Sequence, residues 1–374
     1  MKETIHQFVH TLSYGDAISS EVLALRRCFR ELGLKSEIYC INVHPRYKGE
    51  AHDYRDFVGE NGSDFPDTVI LHYSLGSPLN DLYMSLTKAT RSLIYHNLTP
   101  PHWFEGINPR IVADIKRGQE ELPNLCRNTH NLIADSHFNA GELKELGFSA
   151  SVLELMIDPA RWDVPANPGI AALLKDNPGI HLLHIGRFAP NKKIEDILKT
   201  FYFLHHHINK NSRLWLAGID IDTELYSFAI KRLADELRLS HAITFAGCLD
   251  DTEIRSLYEN ATVYICMSEH EGFCLPVIEA MHFGLPVIAY DGSALTDTVG
   301  RGGILVKEKR HPEIAELINN IATNQEFRSV LVAKGKERVS ELLFDGFKER
   351  VVAVFGIGTN QEQQTQTRLA SVSS

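Results

Sequence analysis

The sequence predicts an α/β protein with two doubly wound domains, each built on a parallel β-sheet. Short apolar runs alternate with longer amphipathic segments along most of the chain, which is the pattern of parallel strands connected by helices. The chain has 374 residues, which is long enough for two such domains. Residues 158–179 are rich in proline and weakly patterned, so they are predicted to link the two domains.

The first domain is predicted from six apolar runs and the amphipathic segments between them. The strands are predicted at Ile5–His10, Ser36–Ile41, Thr68–Tyr73, Ser92–His96, Asn131–Asp135 and Ser151–Leu155. The helices are predicted at Ala17–Leu32, Leu79–Thr87, Asn108–Asn124 and Asn139–Leu146. Gly33 and Gly147 follow two of these helices, where glycine commonly ends a helix.

The second domain is predicted from a second series of strands. They are His181–Ile185, Arg213–Ala217, Ala242–Ala246, Thr262–Met267, Pro286–Tyr290 and Gly303–Val306. Three final helices, without strands between them, are predicted at Pro312–Thr323, Asn324–Leu343 and Asp345–Phe355. The predicted divisions are domains at 1–165 and 166–340, a terminal helix at 341–357 and a disordered tail at 358–374.

The composition excludes several classes of protein. A formal net charge of −10 argues against binding to nucleic acid, which requires a basic face. The six cysteines form no C-x-x-C pair and mostly lie in apolar segments, which indicates reduced, buried thiols. No signal peptide is expected, and no apolar run approaches the ~20 residues that span a bilayer. We therefore expect a cytoplasmic protein.

The most informative segment is S-E-H-E-G-F-C-L-P-V-I-E-A-M at residues 268–281. It follows a predicted strand, turns at Gly272 and begins an apolar helix, whose free N–H groups and dipole would attract an anion. Glu271 and Glu279 lie up to roughly 12 Å apart at the helical rise. That spacing suits a nucleotide-sugar, with hydroxyl groups at both ends and phosphate between them. Either carboxylate alone could simply face solvent.

A second motif, G-R-F-A-P-N-K-K at residues 186–193, follows the first strand of the second domain. Arg187 and Lys192 would hold a diphosphate, the first in fork geometry and the second as a point charge. The alternative is a solvated charged loop. Stabilisation of a leaving diphosphate by these cations would be electrostatic and would need no metal. Asp220 and Asp222 form a D-x-D element without companion signals, and a metal site there is not expected.

Weaker signals lie in other loops. Gly15 allows close backbone approach and Asp16 is a candidate N-cap, so their loop is either ligand-binding or an ordinary capped turn. His96 ends a strand and is either a structural hydrogen-bonding residue or a site residue. Cys248 and Leu249 follow a strand and would lie near a base. The run His205-His206-His207 lies in a predicted helix, where neighbours point to different faces and make a poor metal site.

Together these segments resemble the retaining glycosyltransferases of family 4. Every fixed position of that family's E-G-F-x-L-P-x-x-E signature is filled between Glu271 and Glu279, and its Gly-Arg, loop and Lys pattern matches Arg187 and Lys192. Lys193 stands where the family often has Gly. The combination of G-D-A-I, H-N-L-T-P-P, G-R-F-A-P-N-K-K and S-E-H-E-G-F looks like the bacterial branch that builds surface polysaccharide and O-antigen, often from GDP-mannose.

The resemblance implies the GT-B fold, two Rossmann-like domains facing a cleft, with the last helix crossing back to the first domain. It implies retaining, front-side transfer of a hexose, mannose being favoured, from a nucleoside-diphosphate sugar to a glycan or lipid-linked acceptor, without a cofactor or metal. Glu271 would fix sugar hydroxyls, Glu279 ribose hydroxyls, and His96 the sugar or β-phosphate. The implied catalytic residues are His96, Glu271, Arg187 and Lys192. The remaining donor contacts implied are Gly15, Asp16, Gly186, Cys248, Leu249, Gly272, Phe273, Cys274, Leu275 and Glu279.

Other functions remain as alternatives. A GT-B epimerase would convert a UDP-sugar without an acceptor, and a phosphorylase would need a lysine bound to pyridoxal phosphate. A non-catalytic nucleotide-sugar-binding subunit of an assembly complex is the alternative from another class. Peripheral contact with the inner face of a membrane is a further expectation, because the acceptor in the resembled branch is often lipid-linked. Residues 108–127 are the best candidate for that contact and are only mildly basic.

Overall fold

The computed structural model describes residues 3–357, so the predicted disordered tail at 358–374 lies outside the described residues. The chain divides into two compact units. The first unit contains the described residues up to Leu98, together with Arg117–Met156 and those from Phe344 onward. The second unit contains Thr99–Lys116 and Ile157–Leu343.

The first unit is built on a seven-stranded parallel sheet with the strand order β3-β2-β1-β4-β5-β6-β7. Its strands are β1 (Ile5–Leu12), β2 (Ile38–Val43), β3 (His52–Asp53), β4 (Thr68–Tyr73), β5 (Thr90–Tyr95), β6 (Asn131–Ala134) and β7 (Ser151–Val152). Its helices are α1 (Ala17–Glu31), α2 (Phe57–Asn61), α3 (Pro78–Ser85), most of α4 (Pro109–Arg127), α5 (His137–Glu145) and α14 (Phe344–Phe355).

Burial explains why these segments pack as they do. The first five residues of β1 are all buried, as expected for a central parallel strand covered on both faces. The last helix, α14, buries Phe347 and Val351 in the same apolar cluster as Phe29 of α1. The rings of Phe29 and Phe355 meet edge to face at 5.3 Å. The end of the described chain is therefore part of the core of the first unit.

The second unit is built on a six-stranded parallel sheet with the order β10-β9-β8-β11-β12-β13. Its strands are β8 (His181–Ile185), β9 (Arg213–Ala217), β10 (Ile243–Gly247), β11 (Val263–Cys266), β12 (Val287–Tyr290) and β13 (Ile304–Val306). Its helices are α6 (Pro168–Lys175), α7 (Ile194–Phe203), α8 (Glu224–Glu236), α9 (Asp251–Asn260), α10 (Leu275–His282), α11 (Leu295–Val299), α12 (His311–Thr323) and α13 (Gln325–Glu341).

Each sheet has a point where the strand order reverses. It lies between β1 and β4 in the first unit and between β8 and β11 in the second unit. Ligands of doubly wound sheets bind beyond the carboxyl ends of the strands at this switch point. In the second unit the loops that follow β8 and β11 are the two motifs singled out in the sequence, so the topology brings them to one place.

The proline-rich segment is more ordered than the predicted linker. The division between the units falls at Ile157 rather than after residue 165, because a short 3₁₀ turn at Pro159–Trp162 packs within the second unit. The Trp162 ring lies 5.2 Å from that of Phe283. Helix α6 then begins at Pro168 with Asn167 accepting from two backbone amides, a start signal that the sequence interpretation overlooked.

Most predicted strands and helices are confirmed within a few residues. The short elements β3, α2 and α11 have five residues or fewer, which is too short for a period to be recognised. The histidine run lies in a π-helical turn at Leu204–Ile208 that continues α7. Within residues 3–357, no helix combines the length and apolar character that a membrane crossing requires.

Candidate functional site

The loop after β8 is shaped by a close approach of two backbone segments. The amide of Gly186 donates to Ala217 at 2.9 Å, and that of Phe188 donates to Ile219 at 2.8 Å. Gly218 has a φ of 149°, and a Cβ at this position would collide with the carbonyl group of Gly186. Only glycine at position 218 therefore lets the β8 loop lie against the β9 loop.

The loop then forms a 3₁₀ turn at Pro190–Lys192 before α7 begins at Ile194. Lys193 adopts a left-handed conformation, with a φ of 51°. Glycine adopts this conformation at the lowest cost, which accounts physically for the glycine that the resembled family often has here. The Lys193 Nζ atom instead pairs with Glu195 at 3.0 Å, so this lysine is engaged with its own helix.

Asn191 connects the β8 loop to the β11 loop through two hydrogen bonds. Its Nδ2 atom donates to the carbonyl oxygen of His270 at 2.9 Å, and its own carbonyl accepts from the amide of Glu269 at 2.9 Å. Asn191 is buried, so these bonds are shielded from water. Sequence reasoning missed this residue, although it lies inside the G-R-F-A-P-N-K-K motif.

Lys192 and Glu271 form the ion pair at the centre of the site. Lys192 Nζ lies 2.6 Å from Glu271 Oε2, and the two side chains are 20% and 7% exposed. Burial alone would raise the pKa of Glu271, but the charge of Lys192 outweighs it and holds that pKa below its usual value. Burial likewise opposes the charge of Lys192, yet Glu271 raises its pKa. Both groups are therefore charged at neutral pH.

Glu271 keeps one oxygen free for a further partner. Its Oε1 atom is buried and has no hydrogen-bond partner within residues 3–357. Its backbone is held in place, because the amide donates to Ser293 Oγ at 2.9 Å. A buried carboxylate oxygen without a partner is unfavourable unless a donor reaches it. The hydroxyl group of a ligand would be such a donor.

Helix α10 begins four residues after Glu271 without a side-chain cap. Its N-cap residue, Cys274, has a φ of 80°, and Pro276 occupies its first turn. The first N–H groups of an uncapped helix have no intrahelical acceptor and carry the positive end of the helix dipole. The prediction of an anion site at Gly272, Phe273, Cys274 and Leu275 depends on these open N–H groups, which the helix start leaves available.

Cys274 fills space beside the ion pair. Its Sγ atom, that of Cys266 and a carboxylate oxygen of Glu271 all lie within 4.8 Å of one another. A hydrogen bond with Cys266 and burial raise the pKa of the Cys274 thiol well above its usual value. The Cys274 thiol is therefore protonated at neutral pH, which is the state of a packing residue rather than of a nucleophile.

Arg187 does not contact the Lys192–Glu271 pair. Its Nη2 atom donates to the carbonyl oxygen of Ile221 at 2.8 Å, whereas its buried Nε atom has no partner in the described part of the chain. Burial lowers the pKa of Arg187 from a very high ordinary value, so the side chain stays charged. The structure thus brings Arg187 to the same sheet edge as Lys192 and leaves one of its donors unused.

Glu279 is bonded through both oxygens. Oε1 accepts from Arg161 Nη1 at 2.7 Å, and Oε2 accepts from the hydroxyl group of Tyr258 at 2.9 Å. Arg161 also pairs with Asp251 at 2.8 Å. Burial raises the pKa of Glu279, and Arg161 acts against that rise. The sequence interpretation gave Glu279 to ribose hydroxyls, and this stays a prediction, because each oxygen accepts one hydrogen bond in the structure and keeps a second lone pair. Arg161 was missed because it lies in the predicted linker.

Two further residues of the predicted donor site lie away from the switch point. Cys248 is exposed and Leu249 is half-buried, and both follow β10, the edge strand of the sheet. Their strand is two places from β8 in the sheet order, so the topology does not bring them to the switch point. The prediction of buried thiols is wrong for Cys248, because β10 ends at the sheet edge, where little packs against it.

Three residues of the predicted site, Gly15, Asp16 and His96, lie in the first unit. Asp16 caps α1, as its position predicts, by accepting from the amide of Ser19 at 2.9 Å. Gly15 precedes it with a φ of 75°. His96 follows a strand, as predicted, and its side chain is only 1% exposed. Its ring meets that of His72 end to end in the buried interior, with His96 Nε2 2.9 Å from His72 Nδ1.

One family model matches a large part of the second unit. The model described as "Glycosyl transferases group 1" matches residues 170–338, which lie within that unit. The matched range contains both motif loops and the Lys192–Glu271 pair.

Curated relatives match over part of their length. The O-antigen chain mannosyltransferase B of Escherichia coli is 23% identical over 177 residues, which are 47% of this chain and 45% of that protein. The GDP-mannose:cellobiosyl-diphosphopolyprenol alpha-mannosyltransferase of Xanthomonas oryzae pv. oryzae is 28% identical over 137 residues, 35% of each chain. The chain therefore spans less than half the length of these relatives.

Solved structures match almost the whole chain. The crystal structure of HepE from Anabaena, in complex with UDP and glucose, superposes with a TM-score of 0.75 at 13% identity, over 95% of this chain and 99% of that one. At this identity the likeness shows the fold. Residues 170–338 therefore resemble the glycosyl transferases group 1 family, within a chain that has the GT-B fold.

Proposed function

We propose that the chain is a retaining glycosyltransferase whose second unit binds a nucleoside-diphosphate sugar. The observation that carries this proposal is the Lys192–Glu271 pair, buried four residues before the uncapped start of α10. At this place the cation and the open backbone amides match the diphosphate of the bound donor. The carboxylate with a free oxygen matches a hydroxyl group of its sugar.

The diphosphate is bound by the cations and the helix start. Its oxygens accept from the first amides of α10 and from Lys192, which stands at the end of the β8 loop. The unpaired Nε atom of Arg187 supplies a further donor at the same sheet edge. These groups stabilise the charge that develops on the leaving diphosphate, and they are in place before reaction begins.

The sugar is oriented by Glu271, whose Oε1 atom accepts from a hydroxyl group. The acceptor oxygen then bonds to the anomeric carbon while the bond from that carbon to the diphosphate oxygen breaks. The acceptor proton moves to a departing phosphate oxygen on the same face, which retains the anomeric configuration. Glu279 acts here as a positioning residue, because it ties α10 to Arg161 and Tyr258.

The donor we favour is GDP-mannose, and the acceptor is a glycan or a lipid-linked glycan in polysaccharide synthesis. Two relatives named as mannosyltransferases support the sugar, and one of them names GDP-mannose in its title. HepE, which was crystallised with UDP and glucose, provides the competing donor class. A thermal-shift series with GDP, UDP, ADP and their sugars separates these donors, because a bound ligand raises apparent stability by mass action.

The experiment that tests the activity is turnover of a nucleotide-sugar donor by single variants. We expect Glu271→Ala, Lys192→Ala and Arg187→Ala each to lower the rate about 100-fold or more. Glu269→Gln is the matched control, because Glu269 lies in the same loop but pairs with Lys309 at 2.6 Å. Unimpaired transfer by all three variants would end the assignment.

Two other outcomes of the same assay identify the alternatives. Conversion of a UDP-sugar in the absence of an acceptor would identify an epimerase. Donor binding that leads to neither hydrolysis nor transfer with any acceptor would identify a binding subunit.

A further inference from the structure

The segment Thr99–Lys116 follows β5 of the first unit in the sequence, yet it packs with the second unit. Asn108 Nδ2 donates to the carbonyl oxygen of Asp222 at 3.0 Å, and Ile107 packs against the largest apolar cluster of the second unit. The second unit therefore holds this segment by both polar and apolar contacts. The proposed transfer reaction gives the segment no task.

A 3₁₀ turn at Pro101–Phe104 brings the segment to the donor loops. It packs against the 3₁₀ turn at Pro190–Lys192, which ends the β8 loop. Phe104 and Ala189 lie in one buried apolar cluster, which joins the two turns. The turn at Pro101–Phe104 therefore lies beside the loop whose lysine is proposed to bind the diphosphate.

Two aromatic side chains of this turn keep part of their surface open to solvent. His102 is exposed and Trp103 is half-buried, and their ring centroids lie 4.9 Å apart. Burial lowers the pKa of His270 to about 4, and the charge of His102 acts in the same direction, so His102 also lies near the β11 loop. His270 directly precedes Glu271. The two rings therefore border the place proposed for the donor sugar.

The Trp103 ring is contacted by a lysine in an unfavourable backbone conformation. Lys193 Nζ lies 5.6 Å from the centroid of the Trp103 ring, within the range of a cation–π contact, and pairs with Glu195 at 3.0 Å. The φ of Lys193 is 51°, which is unfavourable for a residue with a Cβ. The glycine that the resembled family often has here would leave the ring without this contact. A strained residue beside a binding site indicates a functional constraint.

The proposed donor contacts leave the aromatic turn free for the second substrate. Lys192 and the start of α10 are assigned to the diphosphate, and Glu271 is assigned to the donor sugar. A sugar ring fits an aromatic face, because the C–H groups of the sugar carry a slight positive charge and the face of the aromatic ring is negative. The side chain of Trp103 thus suits the acceptor glycan.

We propose that Trp103 is the platform on which a terminal pyranose ring of the acceptor glycan stacks, and that Lys193 is the positioning residue that orients this platform. His102 forms the edge of the platform beside the β11 loop. This inference rests on the proposed function and adds the chemistry by which the acceptor is recognised: the apolar face of a sugar ring.

The tryptophan content of the chain allows a direct test. Of its three tryptophans, Trp162 and Trp215 are buried at 3% and 6% exposure, so acrylamide quenches mainly the fluorescence of Trp103. Full-length protein saturated with GDP is titrated with mannotriose, cellobiose and chitobiose. We expect at least one of these glycans to shield Trp103 from acrylamide. Shielding by none of them would overturn the proposal.

Variants separate the acceptor from the donor. By calorimetry, the shielding glycan should bind about 10-fold more weakly to Trp103→Ala and with nearly native affinity to Trp103→Phe, while the affinity for GDP-mannose stays unchanged. Phe228→Ala, which removes a 62% exposed ring from α8, is the matched control and should bind the glycan like the wild type. Equal glycan affinity in the wild type and Trp103→Ala would overturn the proposal. A loss confined to GDP-mannose would also overturn it, because the ring would then serve the donor.

Lys193 is tested by replacement with glycine. The thermal midpoint of Lys193→Gly should stay close to that of the wild type, because relief of the left-handed conformation offsets the lost pair with Glu195. The acceptor KM should rise about 2–5-fold with little change in kcat, and Lys193→Arg, which keeps the cation, should restore it. An unchanged acceptor KM in Lys193→Gly would overturn the positioning role.

The same titrations distinguish failure of this inference from failure of the proposed function. A wild-type protein that binds neither GDP nor GDP-mannose would overturn the proposed function and this inference with it. A wild-type protein that binds both, while Trp103→Ala keeps its glycan affinity, would overturn the platform alone.

Discussion

The most informative single perturbation is Lys192→Met, which removes the cation facing Glu271 and keeps most of the aliphatic side chain. In the native protein Lys192 Nζ lies 2.6 Å from Glu271 Oε2. The exposed fractions of 20% and 7% place the pair largely out of water. In the variant the buried Glu271 carboxylate therefore loses the partner of Oε2, while its Oε1 atom already has none within the described residues.

The magnitude follows from the geometry of the pair. At this separation, and with an effective dielectric constant of about 20, the direct attraction is about 6 kcal/mol. Desolvation of the two ions offsets part of that attraction, and removal of one partner of a buried pair typically costs about 3–5 kcal/mol. Because Lys192 keeps some exposure, we expect the free energy of unfolding to fall by about 3 kcal/mol at pH 7.

The dependence on pH should change sign in this variant. In the wild type the pKa of Glu271 is held below its ordinary value of 4.5, so the pair contributes stability above that value and loses it as pH falls through the folded-state pKa. Without Lys192, the largest influence that opposes burial is removed, and burial raises the pKa of Glu271. The residual stability is then full below about pH 4.5 and is lost as pH rises through the new folded-state pKa.

The assay is urea unfolding followed by circular dichroism between pH 4 and pH 8. Lys192→Met, Glu271→Gln and the double variant form a mutant cycle, in which contacting charges should show a coupling of roughly 2–3 kcal/mol. Additive losses in the double variant would refute the reasoning. A Lys192→Met curve that rises with pH in parallel with the wild type would refute it as well.

Three further predictions concern the second unit and the fold. Arg161→Gln should lower the free energy of unfolding, measured by urea unfolding, by about 3 kcal/mol, because it leaves Glu279 buried without its cation. The same substitution should cost less in a Glu279→Gln background, and an equal cost would contradict the pairing. Burial lowers the pKa of His184 from 6.5 to about 4, so the unfolded state binds its proton first and stability should fall by up to roughly 3 kcal/mol as pH drops from 6.5 to 4. His184→Asn should flatten that slope, and an unchanged slope would exclude His184 as its source. Gly218→Ala should severely destabilise the protein, because its Cβ would collide with backbone atoms. Gly141→Ala, at an exposed position of α5 with open space around it, should stabilise the protein by about 0.5–1 kcal/mol. The thermal midpoints of the two variants test the contrast.

Much of the fold follows from patterns that are local in the chain. Parallel strands read as short apolar runs, and the strands observed lie within a few residues of those runs. The proximity of the motif loops after β8 and β11 could also be predicted, because a doubly wound sheet places the carboxyl ends of its parallel strands at one edge. The Lys192–Glu271 pair is the direct result of that topology.

The rest of the candidate site depends on contacts between residues distant in the chain. Arg161 and Glu279 are hydrogen-bonded although they lie 118 residues apart in the sequence. No periodicity or motif connects the proline-rich segment of Arg161 with α10, which contains Glu279. His96 was visible at a strand end, but its partner His72 was not, because an interior strand residue ordinarily reads as part of the core. Such pairs are decided by side-chain packing in three dimensions, which a pattern along one chain does not contain.

The central claim is that Lys192 and the start of α10 bind the diphosphate, while Glu271 binds the sugar. Isothermal titration of GDP and GDP-mannose into the wild type, Lys192→Met and Glu271→Gln tests it most directly. We predict that Lys192→Met weakens both ligands, whereas Glu271→Gln weakens GDP-mannose much more than GDP. Wild-type affinity for both ligands in both variants would contradict the claim.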